Sequence, residues 1–411
     1  MSFKDLKLNK PILRAVAEAG YDNPTLVQER TIPLVLEGKD VITSAQTGTG
    51  KTAAFALPIL QLLFDKQDAP KKGKKIRALI VSPTRELAIQ IAKNFETYAT
   101  YTNLKSAVVY GGTSIEPQKD ILKKGIDILV ATPGRLLDLH KQDLLNLDYI
   151  ETFVLDEADL MLDMGFIDDV KKVERLCPET KQTLLFSATM PFKVEQLANS
   201  ILKDPVRIEV TPTSSVAKNV SQVLYYVPKQ NKVELCLHIL RNTVKGNILI
   251  FRRTKFGVDK LHETLIKNGY TAERLHGDRS QNERQNALAD FKRGKVNILI
   301  ATDVAARGID INELDAVINF DLPNIPETYV HRIGRTGRAG EFGNSYSFCS
   351  ADEKSYVKNI QQLINVQIPI AEDHPYPLDP KAKPIVHKKQ GSKYKKGRKG
   401  EGSKKKKKRW Y

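Results

Sequence analysis

Short apolar runs rich in β-branched residues alternate with longer segments of helical spacing along most of the chain. Runs of this kind are typical of strands that are buried on both faces, and helical segments between them predict parallel, doubly wound sheets. Six runs form a first series: DVITSA (40–45), RALIVS (77–82), SAVVYG (106–111), DILVAT (127–132), TFVLDE (152–157) and TLLFSA (183–188). Six more form a second series: QVLYYVP (222–228), NILIFRR (247–253), AERLHG (272–277), NILIAT (297–302), AVINFD (316–321) and SYSFCS (345–350).

The two series predict two α/β domains. The chain has 411 residues, of which 41% are hydrophobic, and this length exceeds the usual size of a single core. Between the series, EVTPTSSVAKNVS (209–221) is rich in Thr and Ser and has no periodicity, which indicates a linker. We predict an N-terminal domain at 1–210, a linker at 211–218, a C-terminal domain at 219–368 and a tail at 369–411.

Charge is concentrated in the tail. The formal net charge is +17, and residues 388–411 contribute +12 of it through 13 Lys or Arg against the single acid Glu401. Such asymmetry favours a polyanionic partner, most commonly nucleic acid. The Lys, Gly and Ser content cannot build a core, so we expect disorder. The tail is then either an RNA tether, with Tyr394, Trp410 and Tyr411 available to stack on bases, or a solubilising or nuclear-address segment.

Several protein classes are excluded by the rest of the composition. No apolar run is long enough to cross a bilayer, and the first twenty residues lack the apolar centre of a signal peptide. Cys177, Cys236 and Cys349 lie far apart, which predicts reduced thiols and neither a zinc site nor a disulfide framework. We therefore expect a cytoplasmic protein that does not bind membranes.

Polar clusters follow nearly every predicted strand. In the first series they are AQTGTGKT, PTREL, GG, TPGR, DEAD and SAT, and in the second they are RRTK, HGDRSQNER and TDVAARGID. Ligands of open parallel sheets bind outside the carboxyl ends of the strands. The clusters should therefore converge at one edge of each sheet, which a chance placement of hydrophilic loops does not readily explain.

The segment AQTGTGKT (45–52) predicts a phosphate-binding loop between a strand and a helix. Gly48 and Gly50 allow backbone N–H groups to close around phosphate oxygens. Lys51 then supplies a positive charge to the outer phosphates, and the Thr52 hydroxyl is a ligand for magnesium. A plain glycine-rich turn is the alternative, and the flanking strand and helix disfavour it.

The DEAD segment (156–159) places three carboxylates directly after a predicted strand. Asp156, at the strand end, fits a magnesium ligand that acts through water. Glu157 is the natural group to orient and deprotonate an attacking water. Asp159 is one carboxylate more than this chemistry needs, and a helix N-terminus that favours negative charge would explain it equally well.

The segment HRIGRTGR (331–338) carries three arginines on a glycine-broken stretch. Arg335 and Arg338 are three residues apart, so both can point to one side. Their planar guanidinium groups suit the charge of a phosphoryl-transfer transition state. A basic patch for the phosphates of a polymer is an equal alternative on this segment alone, and the phosphate-binding loop in the other domain favours the arginine-finger interpretation.

The ordered set GYDNPTLVQ, AQTGTGKT, PTREL, GG, TPGR, DEAD, SAT, HGDRSQNER, TDVAARGID and HRIGRTGR resembles the motifs of the DEAD-box ATP-dependent RNA helicases. With Phe3, the resemblance extends to Arg338, and the lysine-rich tail is most similar to the bacterial RhlE-like branch. It implies two tandem RecA-like domains, the cofactors ATP and Mg²⁺, and RNA as partner. The activity it implies is local separation of short RNA duplexes and remodelling of ribonucleoproteins. An ATP-gated RNA clamp and a DNA helicase remain alternatives.

The resemblance also implies individual roles. Gln28 would contact adenine, with Phe3 or Tyr21 packed nearby, and Asp310 would meet the ribose. The implied ATP-binding residues are Phe3, Tyr21, Gln28, Ala45, Gln46, Thr47, Gly48, Thr49, Gly50, Lys51, Thr52, Gly308, Asp310, Arg335 and Arg338. The implied RNA contacts are Pro83, Thr84, Arg85, Gly112, Thr132, Gly134, Arg135, Gly277, Gln281, Arg284, Thr302 and Asp303. Asp159, Ser187, Thr189 and His331 would couple nucleotide state to domain closure.

Two departures from the family pattern leave the catalytic groups in place. PTLVQ (24–28) has Leu26 where the family commonly has a second proline, while Gln28 is retained. IFRRTK (250–255) adds Arg252 and Arg253 where the family pattern is loose. These two arginines either touch RNA or are simply solvated, and the sequence favours neither.

Overall fold

The computed structural model describes residues 1–46, 48–66, 75–210, 220–306, 314–337, 343–379 and 382. Its strands are β1 Val41–Ser44, β2 Ala78–Val81, β3 Ser106–Val109, β4 Ile128–Ala131, β5 Thr152–Leu155, β6 Gln182–Ser187, β7 Val206–Glu209, β8 Val220–Tyr226, β9 Ile248–Phe251, β10 Ala272–Leu275, β11 Ile298–Ala301, β12 Ala316–Asn319 and β13 Gly343–Cys349. Each of the twelve predicted runs overlaps one of these strands, and β6, β8 and β13 begin one or two residues before their runs.

The α-helices occupy the segments between the strands, as the helical spacing predicts. They are α1 Lys10–Glu18, α2 Leu26–Leu36, α3 Lys51–Asp65, α4 Arg85–Tyr98, α5 Glu116–Lys123, α6 Pro133–Lys141, α7 Ala158–Asp163, α8 Ile167–Arg175, α9 Phe192–Ile201, α10 Lys232–Asn242, α11 Lys255–Lys267, α12 Gln281–Lys292, α13 Asp303–Ala306, α14 Pro326–Ile333 and α15 Lys354–Ile364. Short 3₁₀ turns lie at Phe3–Leu6, Lys229–Asn231 and Ala351–Glu353. Among the described residues, no helix is long and apolar enough to span a membrane.

The strands form two sheets in which every pair of neighbours is parallel. Within the described residues the first sheet has the order β3-β4-β2-β5-β6-β1-β7 and the second the order β10-β11-β9-β12-β13-β8. Numbered within its own domain, the second sheet repeats the order 3-4-2-5-6-1 of the first. The predicted fold class, two parallel doubly wound sheets, is therefore confirmed.

Helices cover both faces of each sheet. In the first domain, α1 to α4 pack on one face around Phe55, Phe95 and Phe186. The helices α6 to α9 pack on the other face around Phe153 and Met161. The second domain has the same arrangement, with separate cores on its two sheet faces. Burial on both faces explains why the central strands read as continuous apolar runs and not as alternating ones.

One strand was missed by the sequence pattern. β7 pairs with β1 at the edge of the first sheet, and only Ile208 of its four residues is buried. The segment VRIE therefore lacks the apolar run that identified the others. The predicted linker segment 209–221 was also too wide, because Glu209 ends β7 and Val220 begins β8. Its central residues 211–219, and with them the predicted linker at 211–218, lie outside the described residues.

Candidate functional site

The phosphate-binding loop joins β1 to α3 as predicted. Gly48 and Gly50 have φ values of 85° and 88°, in the left-handed region that glycine adopts without strain. Gly50 is the N-cap of α3, so the helix begins at Lys51 and Thr52. The first backbone N–H groups of this helix therefore point at the loop, where an anion is favoured. Thr47 lies outside the described residues.

Gln28 braces this loop from α2. Its Oε1 accepts a hydrogen bond from the Thr25 backbone N–H at 2.9 Å, and its Nε2 donates to the Gly50 carbonyl at 3.2 Å. The Thr25 hydroxyl donates to the Thr49 carbonyl at 2.8 Å. Gln28 is thus a support of the loop, and its implied contact with adenine remains a prediction.

The two aromatic residues implied for the base differ in exposure. Phe3 is only 5% exposed and packs with Leu6 in the first core. Tyr21 is 43% exposed, and its hydroxyl accepts a hydrogen bond from Tyr98 at 3.3 Å. Tyr21 therefore has the more accessible ring of the two.

Lys51 and Glu157 form a buried ion pair across the nucleotide cleft. The Lys51 Nζ lies 2.9 Å from the Glu157 Oε1, and the two side chains are 6% and 9% exposed. Burial by itself lowers the pKa of Lys51, but the carboxylates of Glu157 and Asp156 outweigh it and the pKa is raised. Glu157 has a φ of 55° and is the N-cap of α7. A non-glycine residue in this region stores strain, as functional sites often do.

Asp156 follows β5 directly, and its backbone N–H donates to the Val81 carbonyl of β2 at 3.0 Å. Burial, with the Glu157 carboxylate as the next cause, raises the pKa of Asp156 to about 7. A bound cation would offset this crowding of negative charge. Among the described residues, no group of three or more His, Cys, Asp or Glu side chains forms a metal cage. The donors present, the Asp156 carboxylate and the Thr52 hydroxyl, fit Mg²⁺ that is bound mainly through phosphate and water.

The structure brings the four predicted coupling residues together. Asp159 Oδ2 accepts hydrogen bonds from the Thr189 N–H at 3.0 Å and from its hydroxyl at 2.9 Å. The Ser187 hydroxyl accepts from the Asp159 N–H at 3.1 Å. His331 Nε2, on α14 of the second domain, lies 3.8 Å from Asp159 Oδ2. Asp159 also accepts from the Leu160 N–H at 3.1 Å, so it serves its own helix N-terminus as well.

The arginine segment (331–338) begins in the final turn of α14. Arg335 is 4% exposed and follows Gly334, the C-cap of this helix. Arg338, Gly308 and Asp310 lie outside the described residues, so their predicted ATP contacts remain predictions. Arg332, to which the sequence assigned no role, is the centre of a buried network. Its guanidinium donates to both oxygens of Asp303 at 2.6 and 2.8 Å and to Asn319 at 3.1 Å.

The predicted RNA contacts of the first domain lie together after β2, β3 and β4. Thr84 caps α4 by accepting a hydrogen bond from the Leu87 N–H at 3.3 Å. The Arg85 guanidinium lies against Gly112, where a Cβ atom would collide with it. Thr132 is the N-cap of α6, and Arg135 donates to the Thr113 carbonyl at 2.9 Å. Pro83 and Gly134 adjoin these caps.

The predicted RNA contacts of the second domain lie after β10 and β11. Gly277 follows β10, and Thr302 follows β11. Gln281 and Arg284, however, reach across to the first domain. Gln281 Nε2 donates to Glu86 Oε1 at 3.0 Å, and Arg284 Nη2 lies 2.9 Å from Glu86 Oε2. Asp303 is paired with Arg332. Roles in RNA binding for these three residues remain predictions.

The sequence assigned no role to Glu86 or to Thr254. Glu86 belongs to PTREL, and only the structure shows that it joins the two domains. Thr254 caps α11 by accepting a hydrogen bond from the Gly257 N–H at 3.0 Å, just as Thr84 caps α4. The signal was available: IVSPTREL and IFRRTKFG each place Thr and a basic residue at the same distance after an apolar strand.

Arg252 and Arg253 are held within the second domain. Arg252 lies 3.0 Å from Asp321 and stacks on the Phe320 ring with its guanidinium carbon 4.0 Å from the ring centre. Arg253 lies 3.0 Å from Glu353 and donates to the Leu322 carbonyl at 3.0 Å. Both arginines therefore have partners within their own domain, although the Arg253 side chain is still 48% exposed. Contact of either arginine with RNA remains one of the two alternatives.

Comparison with known protein families identifies both domains. Residues 25–198 match the family model "DEAD/DEAH box helicase". Residues 231–340 match "Helicase conserved C-terminal domain". A DEAD-box ATP-dependent RNA helicase, RhpA of Helicobacter pylori, is 41% identical over 371 residues, which are 90% of this chain and 74% of the relative. The chain belongs to the DEAD-box ATP-dependent RNA helicases.

Other relatives and solved structures of this helicase family agree. CshA of Bacillus cereus is 43% identical over 88% of this chain and 68% of the relative. Saccharomyces cerevisiae Dbp5 bound to RNA and ADP BeF3 is 32% identical with a TM-score of 0.80, over 90% of this chain and 95% of Dbp5. Mss116p bound to ssRNA and AMP-PNP is 29% identical with a TM-score of 0.81, over 91% of this chain and 80% of Mss116p. Similarity to the RhlE-like branch in particular remains a prediction.

Proposed function

We propose that this DEAD-box helicase couples ATP binding and hydrolysis to the local separation of short RNA duplexes and to the remodelling of ribonucleoproteins. One observation carries the proposal: the two domains contact each other at two places. The first is the nucleotide cleft, which contains the phosphate-binding loop and Asp156 to Asp159. The second is the RNA edge, which we define as the loops after β2, β3 and β4 of the first domain and after β9, β10 and β11 of the second. His331 approaches Asp159 beside the cleft, and Arg284 pairs with Glu86 between the two sets of predicted RNA contacts. Closure of the domains would therefore depend on both ligands.

In this proposal, the chain's own residues would perform the hydrolytic chemistry. Lys51 would leave Glu157 for the outer phosphates of ATP, which frees the Glu157 carboxylate to orient and deprotonate water. Arg335, placed at the end of α14, would stabilise the transferring phosphoryl group together with Arg338. Gln28 and the aromatic ring of Tyr21 or Phe3 would hold the base.

Mg²⁺ is the second cofactor of the proposal. Thr52 and Asp156 would hold it, and it would supply neutralisation of phosphate charge. Support comes from the hard oxygen character of these donors and from the burial of the Asp156 carboxylate beside those of Glu157 and Asp159, whose negative charge a cation would offset.

RNA would lie along the carboxyl ends of the strands in both domains. The predicted contacts include arginine side chains, threonine hydroxyl groups, backbone at glycines and helix N-caps, and groups of this kind recognise sugar and phosphate without reading sequence. The basic residues of the tail at 369–411 would add a salt-dependent tether.

We also keep the domain limits and a cytoplasmic location as predictions. Cys177, Cys236 and Cys349, free and buried, are consistent with that location.

The proposal is tested by two assays on the full chain. Single-stranded RNA should stimulate ATP hydrolysis, and a short RNA duplex should be separated in an ATP-dependent strand-displacement assay. ATP hydrolysis without displacement would favour the alternative of an ATP-gated RNA clamp. Equal stimulation by DNA of the same sequence would favour a DNA helicase and would contradict the RNA proposal.

A further inference from the structure

Phe256 is a large aromatic residue that the proposed function does not use. It is the second residue of α11, and it is 75% exposed. We propose that Phe256 stacks on a nucleobase of bound RNA at the outer end of the RNA edge in the second domain. This inference rests on the proposed function, because it requires RNA to lie along that edge.

The internal repeat of the fold defines the position of Phe256. The two sheets share the order 3-4-2-5-6-1, so β9 is the counterpart of β2 and α11 is the counterpart of α4. The caps agree, since Thr84 and Thr254 each accept a hydrogen bond from the N–H three residues later. Counting from these caps, Phe256 is the counterpart of Glu86.

Glu86 shows what this position faces. It bonds to Gln281 and Arg284 in the first turn of α12, which follows β10, the first strand in the order of the second sheet. The RNA edge therefore continues from β3, β4 and β2 of the first domain to β10, β11 and β9 of the second. Phe256 follows β9, the counterpart of β2. In the first domain the corresponding position, Glu86, contacts the second domain, and in the second domain this position lies at the outer end of the RNA edge. The exposed ring of Phe256 therefore takes the position at which Glu86 makes its contact between the domains.

The surroundings of Phe256 suit a single-stranded polyanion. Arg253 pairs with Glu353 and Lys255 with Asp278, but the two basic side chains, on either side of the Thr254 cap, are still 48% and 61% exposed. Lys255 Nζ lies 2.6 Å from Asp278, which holds the start of α11 against the loop that contains Gly277. Basic groups that follow the backbone and an aromatic ring that takes a base are the usual elements of sequence-independent binding to single strands.

Position, and not exposure alone, carries the inference, because isolated apolar residues on a surface are ordinary. Phe192 illustrates the difference. It is also 75% exposed and begins α9. It follows β6, however, which lies between β5 and β1 on the nucleotide side of the first sheet. Phe192 therefore provides a matched control on the same chain.

The test compares Phe256→Ala, Phe256→Trp and Phe192→Ala in the full chain. Binding of a fluorescent single-stranded RNA is measured by anisotropy with a non-hydrolysable ATP analogue over a range of salt concentrations. Phe256→Ala should weaken binding by roughly tenfold, the size of one lost base stack. Phe256→Trp should restore it, and Phe192→Ala should bind as the wild type does. The slope of log affinity against log salt should stay unchanged in Phe256→Ala, because stacking releases no counterions.

Abasic substitutions in the RNA locate the stacked base. Removing one base at a time should weaken wild-type binding most at a position near one end of the bound segment, and at that position Phe256→Ala should show no further loss. The thermal unfolding midpoint of Phe256→Ala should equal that of the wild type, since the ring is exposed. Wild-type affinity in Phe256→Ala, or an equal loss in Phe192→Ala, would overturn the inference. Failure of the wild-type chain to bind RNA at all would instead overturn the proposed function.

Discussion

Glu157 combines burial, a left-handed backbone and an ion pair in one residue. It is buried, its φ is 55°, and its carboxylate is paired with Lys51 at 2.9 Å. The left-handed backbone at the end of β5 holds the Glu157 carboxylate beside Lys51 of the phosphate-binding loop. We therefore treat Glu157 as the group that activates water, with the ion pair as its resting partner.

Glu157→Gln tests this assignment at the residue scale. The amide keeps the shape of the side chain but cannot accept a proton, so RNA-stimulated ATP hydrolysis should fall by roughly a hundredfold or more. Affinity for ATP and RNA should be retained, as measured by equilibrium binding. Glu116→Gln on the surface of α5 is the control. Hydrolysis at the wild-type rate in Glu157→Gln would refute the assigned base.

The carboxylate of Asp159 has two explanations: it couples nucleotide state to domain closure, or it only stabilises the N-terminus of α7. Substitution of Asp159 separates them. Asp159→Asn weakens the contacts with Thr189 and His331, and we expect it to abolish the mutual enhancement of ATP and RNA binding, measured as each affinity with and without the other ligand. Asp168→Asn in the first turn of α8 changes only a helix N-terminal charge, which is worth about 0.3–1 kcal/mol. If both variants lose only this stability and keep the coupling, Asp159 serves its helix alone.

At the scale of elements, the phosphate-binding loop depends on α2 as much as on its own glycines. Gly50 combines a φ of 88° with a Cβ position that the Gln28 amide and the Thr25 hydroxyl already occupy. The loop is therefore closed by backbone geometry and by a neighbouring helix together. Replacing Gly50 should disturb both.

Gly50→Ala and Gly38→Ala separate these two effects. Gly38 also has a positive φ, 77°, but a Cβ there would meet nothing within 4 Å. Both variants should lose about 1–2 kcal/mol of unfolding free energy from the left-handed backbone, measured by chemical denaturation. Only Gly50→Ala should also lose more than tenfold in ATP affinity, because its methyl group displaces Gln28. Equal ATP affinity in the two variants would contradict the bracing role of Gln28.

At the scale of the whole molecule, the ion pair between Glu86 and Arg284 joins the domains on the RNA side. The two side chains are 7% and 10% exposed, so solvent screens the pair little. Truncating one partner of such a pair across an interface typically costs about 2–5 kcal/mol. Domain closure should therefore be sensitive to Glu86, although Glu86 is not one of the predicted ATP-binding residues.

Glu86→Ala should lower the closed population by at least tenfold. The measurement is energy transfer between dyes on the two domains, with an ATP analogue and RNA present. The control is Glu195→Ala, whose partner Arg207 lies in the same domain in an exposed pair that should contribute about 0–1 kcal/mol. An unchanged closed population in Glu86→Ala would show that this junction does not drive closure.

Most of the fold was accessible from the sequence. Central strands are buried on both faces, so their apolar runs are continuous and were all found. β7 was missed because three of its four residues are not buried. The strand order was not accessible, because pairing depends on long-range packing and not on local pattern.

The sequence by itself determined which chemistry this protein carries and that it lies at the carboxyl ends of the strands. Residue type, glycine placement and apolar period are local properties, so they can be read locally. Only the tertiary structure decided the partners: Lys51 with Glu157, 106 residues away, and Glu86 with Gln281, 195 residues away. It likewise decided that Arg332 supports the domain and that Phe256 occupies the place of Glu86. Contacts between distant segments depend on strand order and on how the two domains meet, and no local pattern encodes either.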